Sequence, residues 1–538
     1  MVLVLDLIAL SVTLINFLEV KRTSAGEQTP LWIIPVLLIV TVCIPIAIIL
    51  LCMFALYREC VRIILKIKYG EKFGGLLKGL DAFQTIGEPI QHVINTCLVF
   101  QCPKTMSAQE FYEAIEEKLR RPSVLPQFSS ILKKEFGYSY MLKASIFDTA
   151  FKKMKLINTE NHKLSRTELM LLINEHANAQ MPKDGSIPWE ILVGSQPIEW
   201  RDNMHNYYII LSRVHHALCD GAALVKLTGA TYADKENTAT ISSEYLPQKD
   251  SSVTMNFFKG LCETLLAIIL IPSWYVSNLV LKGKDKNILK GKKLRMQSHY
   301  AMNIEDHSCY VQKIKSIKKR IPRVSFSDVL LTAISASFSE FFTKNSALTE
   351  KVTVVLPVLV GASELRKIKS MELRNLKVQN EFSSVALDLP ICMSNAPDQV
   401  DIISRLNLIS KRTKALRSSF HYSINRLVTK TISTCLSQPL LVLISKSSSY
   451  TAILSLLPGP PKVTCFDGST IISDFIGWNP NAFDIGSTML ITTYDDRLHI
   501  LVSIDEALIE NYSDVQGIAD NVLKYLDQLD EKISELCK

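Results

Sequence analysis

Three kinds of hydrophobic pattern run along this chain. The simplest is residues 31–57 (LWIIPVLLIVTVCIPIAIILLCMFALY), which carry no charged side chain. As an α-helix rising about 1.5 Å per residue they reach roughly 40 Å, beyond the roughly 30 Å of a bilayer's hydrocarbon core. A transmembrane helix is predicted there, and Pro35 and Pro45 bend it without preventing insertion. Arg58, Arg62, Lys66, Lys68 and Lys72 follow at once, so the positive-inside rule puts everything after Arg58 in the cytosol. Residues 1–18 are apolar but hold Asp6, Ser11, Thr13 and Asn16. They are either a second span, closing a hairpin around Lys21 and Arg22, or an interfacial helix. With no basic n-region and no small-residue cleavage site, a cleaved secretory signal is not expected. A third apolar run, 261–281, contains Glu263, Pro272, Ser273, Ser277 and Asn278, with Trp274 and Tyr275 in its middle. We expect it to dock in the membrane plane as a helix or hairpin, with Lys282–Arg295 touching anionic headgroups.

The other two patterns alternate beyond residue 80. Helical spacing marks 108–121, Ala222–Thr231, Phe326–Phe342, with Ser325 or Ser327 as N-cap, and a closing helix over Asp514–Leu536. Short β-branched and aromatic runs predict strands at Tyr207–Val214, Val352–Val360, Ser383–Leu389, Ser487–Tyr494 and Leu498–Ile504. The stretch 232–256 is polar and rich in Ser and Thr, a linker by composition. The organisation expected is a membrane anchor (1–60), an N-terminal α/β domain (80–250), a membrane-docking linker (251–295) and a C-terminal α/β domain (296–538). At 538 residues the chain exceeds one compact core.

Composition narrows the partners. The net charge of +8 comes largely from the two Lys/Arg clusters that directly follow apolar runs, which favours a membrane surface or a phosphate-bearing ligand over nucleic acid. The 12 cysteines form no CxxC pair. Neither a disulfide framework nor a zinc site is indicated, and reduced thiols in the cytosol are expected.

The chemistry concentrates in His215-His216-Ala217-Leu218-Cys219-Asp220-Gly221, an HHxxxDG pattern at the end of the strand that contains Tyr207–Val214. A neutral imidazole is the commonest general base near neutral pH. Neighbouring residues of a strand face opposite ways, so one histidine faces a cleft and the other packs within its domain. Asp220 either orients the imidazole or fixes the loop by pairing with an arginine, while Gly221 permits a tight turn or close backbone approach. Without more, two satisfied structural histidines in a strand-to-helix turn are the favoured reading. A metal site is not expected, because His205 is the only nearby third ligand.

Set in a two-domain α/β chain, HHxxxDG resembles the coenzyme A-dependent acyltransferase superfamily, which includes chloramphenicol acetyltransferase, peptide-synthetase condensation domains and plant BAHD acyltransferases. Within it the chain resembles the wax ester synthase/diacylglycerol acyltransferase family over about residues 80–530. Pro188-Trp189-Glu190 resembles that family's Pro-Leu-Trp segment without the Leu, and Ser327-Asp328 stands at its Asn-Asp motif. Asn380–Pro390 (NEFSSVALDLP) resembles its GN…LP strand, and Leu457-Pro458-Gly459-Pro460 its Asn-Val-Pro-Gly-Pro turn. Gly477, Pro480, Gly486, Tyr494 and Asp505 follow its C-terminal pattern. Asp474-Phe475-Ile476-Gly477-Trp478 is similar to the BAHD Asp-Phe-Gly-Trp-Gly element with one extra residue.

The resemblance implies two chloramphenicol-acetyltransferase-like domains with a tunnel between them, and transfer of a fatty acyl group from acyl-CoA, as co-substrate, to an alcohol. His216 would be the general base, with His215 and Asp220 beside it. Gly221, Ser327, Asp328, Pro458 and Gly459 would support the site, with no other cofactor and no metal. The anchor directs the expectation to a long-chain alcohol or diacylglycerol, giving wax ester or triacylglycerol, at the endoplasmic reticulum or plasma membrane. A non-catalytic lipid-binding protein of the same fold, and a BAHD-like enzyme acting on a small soluble alcohol or amine, are the alternatives.

Overall fold

A computed structural model describes residues 2–24, 29–87, 92–120, 126–154, 163–234, 262–347, 349–359, 378–392, 401–445 and 450–536. Most of the polar stretch 232–256, the boundary at 250/251 and Val360 lie outside the described residues. The strands are β1 (Phe73–Leu76), β2 (Val93–Cys102), β3 (Ser130–Glu135), β4 (Tyr138–Lys143), β5 (Phe151–Lys153), β6 (Trp189–Val193), β7 (Asn206–His215), β8 (Ser298–Ile304), β9 (Lys351–Leu359), β10 (Phe382–Pro390), β11 (Ala452–Leu457), β12 (Val463–Cys465), β13 (Thr470–Trp478), β14 (Ser487–Tyr494) and β15 (Arg497–Asp505). Two six-stranded sheets, ordered β12-β13-β2-β7-β6-β5 and β10-β9-β11-β14-β15-β8, form the body; β1-β4-β3 make a small third sheet.

The continuous apolar run of β7 follows from burial on both faces. Tyr207, Ile209 and Leu211 pack with Leu169 and Ile173 of the helix Arg166–Asn178. Tyr208 and Ile210 pack with Phe111 and Ile115 of the helix Ala108–Arg120. β7 pairs antiparallel with β2 from Asn206↔Cys102 to His215↔Val93, so the histidines are held at a fixed end of the first sheet. The helix Phe326–Lys344 starts at Ser325, whose side chain caps it.

The sheets correct the division at residue 296 in one respect. β12 and β13 come from the C-terminal half, yet β13 pairs with β2 and extends the first sheet. Without them the ten-residue strand β2 would present an open edge. The chain then crosses from Trp478 to β14 in the second sheet. Tyr494 on β14 ties the crossing: its hydroxyl donates to Ile472 O at 2.6 Å and accepts from Val463 N at 3.0 Å.

Among the described residues one helix, starting at Ile33, is long and apolar enough to cross a membrane. It continues to Tyr69, so the anchor boundary expected at residue 60 falls inside a helix. The helix Val2–Thr23 lies against it, with Val20, Ile33 and Leu37 in one cluster that also takes in Val276. Val276 belongs to a pair of helices, Cys262–Ile269 and Ile271–Val280, bent by 55°. Asn16 sits at the bend, its Nδ2 donating to Ile269 O at 2.9 Å and its Oδ1 accepting from Ser273 N at 2.8 Å. The flanking strands β7 and β8 belong to one body bridged by β12–β13, so a single crossing by this pair is excluded.

The basic stretch after it is corrected in part. Lys282 Nζ lies 3.7 Å from Asp388 Oδ1 and Lys290 Nζ 2.8 Å from Asp484 Oδ2, so these two face protein carboxylates. Lys284, Lys286, Lys292, Lys293 and Arg295 are exposed. Leu289 and Leu294 enter the core of the second sheet, so the end of the expected linker belongs to the C-terminal domain.

Candidate active site

The strand β7 stops at His215 because the next residues turn. Leu218 N bonds to His215 O at 2.9 Å, and Asp220 caps the helix Gly221–Tyr232 by accepting Ala223 N at 2.8 Å. The backbone of His216 is pinned at the turn, its N–H donating to His92 O at 2.6 Å. Opposite stands the start of β10 in the second sheet. Asn380 there receives His216 Nδ1 on Oδ1 at 2.8 Å, while its Nδ2 donates to His216 O at 2.7 Å and to Asp81 Oδ1 at 2.8 Å.

This arrangement decides the imidazole's tautomer. Both amide hydrogens of Asn380 are committed to oxygen acceptors, so its Oδ1 must accept and His216 Nδ1 must carry a hydrogen. The lone pair is then on Nε2. Burial pushes the His216 pKa below its usual value, against opposing pulls from the Asp220 carboxylate and Asn380. The result is a neutral, oriented base at the seam between the two sheets, with the Phe382 ring 5.7 Å from the imidazole.

His215 is placed differently. It is fully buried, its Nδ1 accepts from Ala217 N at 3.1 Å, and burial holds its pKa far below the usual value. Its ring lies 6.0 Å from that of His92, which burial lowers to about 4.

Asp220 takes neither role left open for it. Among the described residues it makes no hydrogen bond to the imidazole and no pair with an arginine; Arg213 pairs with Glu190 at 2.8 Å. Its Oδ2 instead accepts Glu381 N at 2.8 Å, tying the first turn of the helix to the second sheet. The reason is helical: an aspartate at this position is more strongly used by the unpaired N–H groups of the first turn. Gly221 needs no left-handed backbone, and a Cβ there would meet Leu457 Cδ2 at 3.6 Å. The helix start therefore abuts the end of β11. Directly beyond, a Cβ on Gly459 would fall 1.5 Å from Thr493 O, so this turn after Pro458 admits only glycine.

Ser327 and Asp328 are not brought to His216 by any contact among the described residues. Asp328 is buried in the C-terminal domain, bonding Ser325 N at 2.8 Å and Thr413 Oγ1 at 2.7 Å, with Arg417 at 3.3 Å. Trp189 bonds Phe128 O at 2.8 Å and serves packing. Cys219 is buried and its thiol pKa is pushed well up, the wrong direction for a nucleophile. His205 pairs with Asp202 at 2.9 Å, and no cluster of three or more metal-ligating side chains occurs among the described residues. A cavity of about 810 Å³ opens elsewhere between the domains, lined by Met170, Asn174, His299, Met302 and Tyr512, and it does not include His216.

Sequence reasoning missed Asp81, His92 and the role of Asn380. Asn380 stood in a quoted motif, but 164 residues separate it from His216, and no spacing rule links the two.

Residues 378–530, which begin just before Asn380, match the family model of the WS/DGAT C-terminal domain. Over these residues the chain is similar to the C-terminal domain of the wax ester synthase/diacylglycerol acyltransferase family. No curated protein sequence matches the chain significantly. Among solved structures, the wax ester synthase/diacylglycerol acyltransferase from Marinobacter aquaeolei VT8 is similar with a TM-score of 0.56 at 15% identity, covering 85% of this chain and 100% of that one. The trichothecene 15-O-acetyltransferase from Fusarium sporotrichioides is similar with a TM-score of 0.56 at 11% identity, covering 85% of this chain and 94% of that one. The mixed α/β, two-domain fold of the WS/DGAT acyltransferases, expected from the HHxxxDG resemblance, is thus borne out.

Proposed function

We propose that the chain transfers a fatty acyl group from acyl-CoA to an apolar alcohol, a long-chain alcohol or diacylglycerol, at the cytosolic face of a membrane. The observation that carries this is the His216–Asn380 pair, which leaves Nε2 unprotonated at the seam of an acyltransferase fold. Nε2 takes the proton of the alcohol as its oxygen attacks the thioester carbonyl carbon. The tetrahedral intermediate then expels the CoA thiolate, which takes the proton back from the imidazolium. The C–O bond replaces the C–S bond, and no acyl-enzyme forms. General-base help of this kind is worth about 10²–10⁴-fold.

One feature supports the apolar acceptor. The helix from Ile33 is apolar through Tyr57 and is followed by Arg58, which suits a bilayer anchor with a cytosolic C-terminal side. The departure at Ser327 lies next to Asp328, whose bonds stay within the C-terminal domain, so that change leaves the base untouched.

The test is His216→Ala in isolated membranes given labelled acyl-CoA with hexadecanol or diacylglycerol. Ester formation is expected to fall by about 10²–10⁴-fold; undiminished turnover refutes the reading. Activity confined to short polar alcohols would favour the BAHD-like alternative.

A further inference from the structure

A few large apolar side chains lie open on the body itself, beside the point where the membrane helix turns basic. Phe136 is 50% exposed at the tip of the β3–β4 hairpin. Its pairing Glu135↔Tyr138 leaves a two-residue turn, with Phe136 at φ 51° and Gly137 at φ 78°. Such turns favour Asn-Gly, and an aromatic residue in the left-handed region is strained. A strained, outward-pointing phenylalanine is a feature the fold itself does not require.

Beside it runs the short helix Gln438–Ser445. Leu441 is buried against Ile86, with Leu51 and Phe54 of the membrane helix packed on the same cluster. Leu443 and Ile444 point away, 69% and 58% exposed. The two elements are locked together: Gln438 N donates to Gly137 O at 2.7 Å, and a Cβ on Gly137 would meet Ser437 Cβ at 2.9 Å. Both are locked to the membrane helix. Tyr57 Oη donates to Phe136 O at 3.4 Å, and Leu51 and Phe54 pack with Leu440 and Leu441 of the short helix.

Tyr57 and Arg58 end the apolar run, the pair of residue types that marks a membrane–water boundary. Met53 and Leu56, one turn earlier, are 61% and 69% exposed. The apolar run of the helix thus ends where the hairpin bearing Phe136 and the short helix bearing Leu443 and Ile444 pack against it. We propose that these three side chains enter the leaflet from which the helix emerges and seat the body on the bilayer as a second, non-spanning contact. This rests on the reading that the helix from Ile33 spans the membrane. The seating has a consequence for the site. Phe83 and Phe483, 5.2 Å apart, join the same cluster, and Phe483 lies 6.1 Å from His92, whose carbonyl holds His216. One aromatic layer separates the seated face from the histidine seam, on the side from which a bilayer-dissolved alcohol would come.

The experiment uses the full chain in phosphatidylcholine vesicles containing a lipid with a carbene-generating group on its acyl tail, with labelled peptides mapped by mass spectrometry. Labelling is expected on 33–57 and, in addition, on the Phe136 peptide and on 438–445. Leu171 and Met204, 67% and 74% exposed elsewhere on the body, serve as controls and should stay unlabelled. The triple variant Phe136→Ser, Leu443→Ser, Ile444→Ser should lose labelling at these sites at least about tenfold while keeping it on 33–57 and keeping its unfolding temperature. Labelling of 33–57 alone overturns the second contact and leaves the anchor standing. Absence of label on 33–57 overturns both. Equal labelling of Leu171 and Met204 also overturns the proposal.

Discussion

The two sheets meet at two buried polar clusters that resemble each other in position and differ in chemistry. At one, Asp474 on β13 is surrounded by donors from both sides. Arg201 and Arg497 reach its Oδ1 at 2.8 and 2.9 Å, Trp200 Nε1 and Ser473 Oγ reach Oδ2 at 2.6 and 2.9 Å, and His499 Nε2 stands 3.4 Å away. Burial alone would raise this carboxyl; His499, Arg201 and Trp200 outweigh it and hold it below the usual range. At the other cluster, His216 meets a neutral amide in place of a carboxylate. Asn380 fixes one ring nitrogen without adding a charge, and the Asp81 carboxylate stands one residue further back. A saturated charged cluster holds the sheets together. The amide-held one orients a base while adding no charge beside it, so burial still keeps its pKa below the usual value.

That contrast breaks first at His216. His216→Ala should abolish nearly all turnover, about 10²–10⁴-fold, with circular dichroism and unfolding temperature close to the parent. Asp474→Ala should do the reverse. Removing one member of a buried charged cluster strands Arg201 and Arg497 and should lower stability by about 3–5 kcal/mol in denaturant titration, with specific activity of the folded fraction kept. If Asp474→Ala silences folded protein, the two clusters are not separable. Asn380→Ala sits between them in size. With the tautomer no longer held, kcat should fall about 10²-fold with KM little changed, and Asn380→Ser, which keeps an acceptor oxygen, should recover part of it. A loss in KM alone would make Asn380 a substrate contact.

How far the residues announced this depends on the range of the interactions. Local signals were legible: β7, β14 and β15 lie where alternating and β-branched runs placed them, and Ser325 caps its helix as one of the two residues named. That the two histidines face different surroundings was legible too, whereas the choice of His216 between them is what the family resemblance implies. The amide partner was not, since His216 and Asn380 come together only when β7 and β10, on different sheets, are both in place. The β12–β13 insertion into the first sheet was hidden for a related reason. Its apolar pattern reads as a strand in either sheet, and only the open edge of β2 decides which. That Asp220 organises the turn was legible; that it does so as the N-cap of the following helix, and not by pairing with an arginine, was not.

The smallest expected effect tests Asp220 again, now as a charge near the base. Burial lowers the His216 pKa and Asp220 raises it part of the way back. kcat/KM should therefore rise with pH along a limb centred below the ordinary histidine value of about 6.5 and be flat at neutral pH. Asp220→Asn keeps one oxygen, enough to cap Ala223 N, but gives up the acceptor for Glu381 N and removes the charge, so the limb should move further down while the rate at about pH 7.5 hardly changes. A limb that moves upward, or does not move, would show that Asp220 acts only as a cap. Stability must be measured alongside. The His92 pKa is about 4 when folded against about 6.5 when unfolded, so the unfolded chain binds more protons between those values and stability falls as pH drops through that window. A genuine shift of the catalytic limb follows Asp220→Asn, whereas the acid loss of fold set by His92, His215 and His421, all lowered by burial, is common to both proteins.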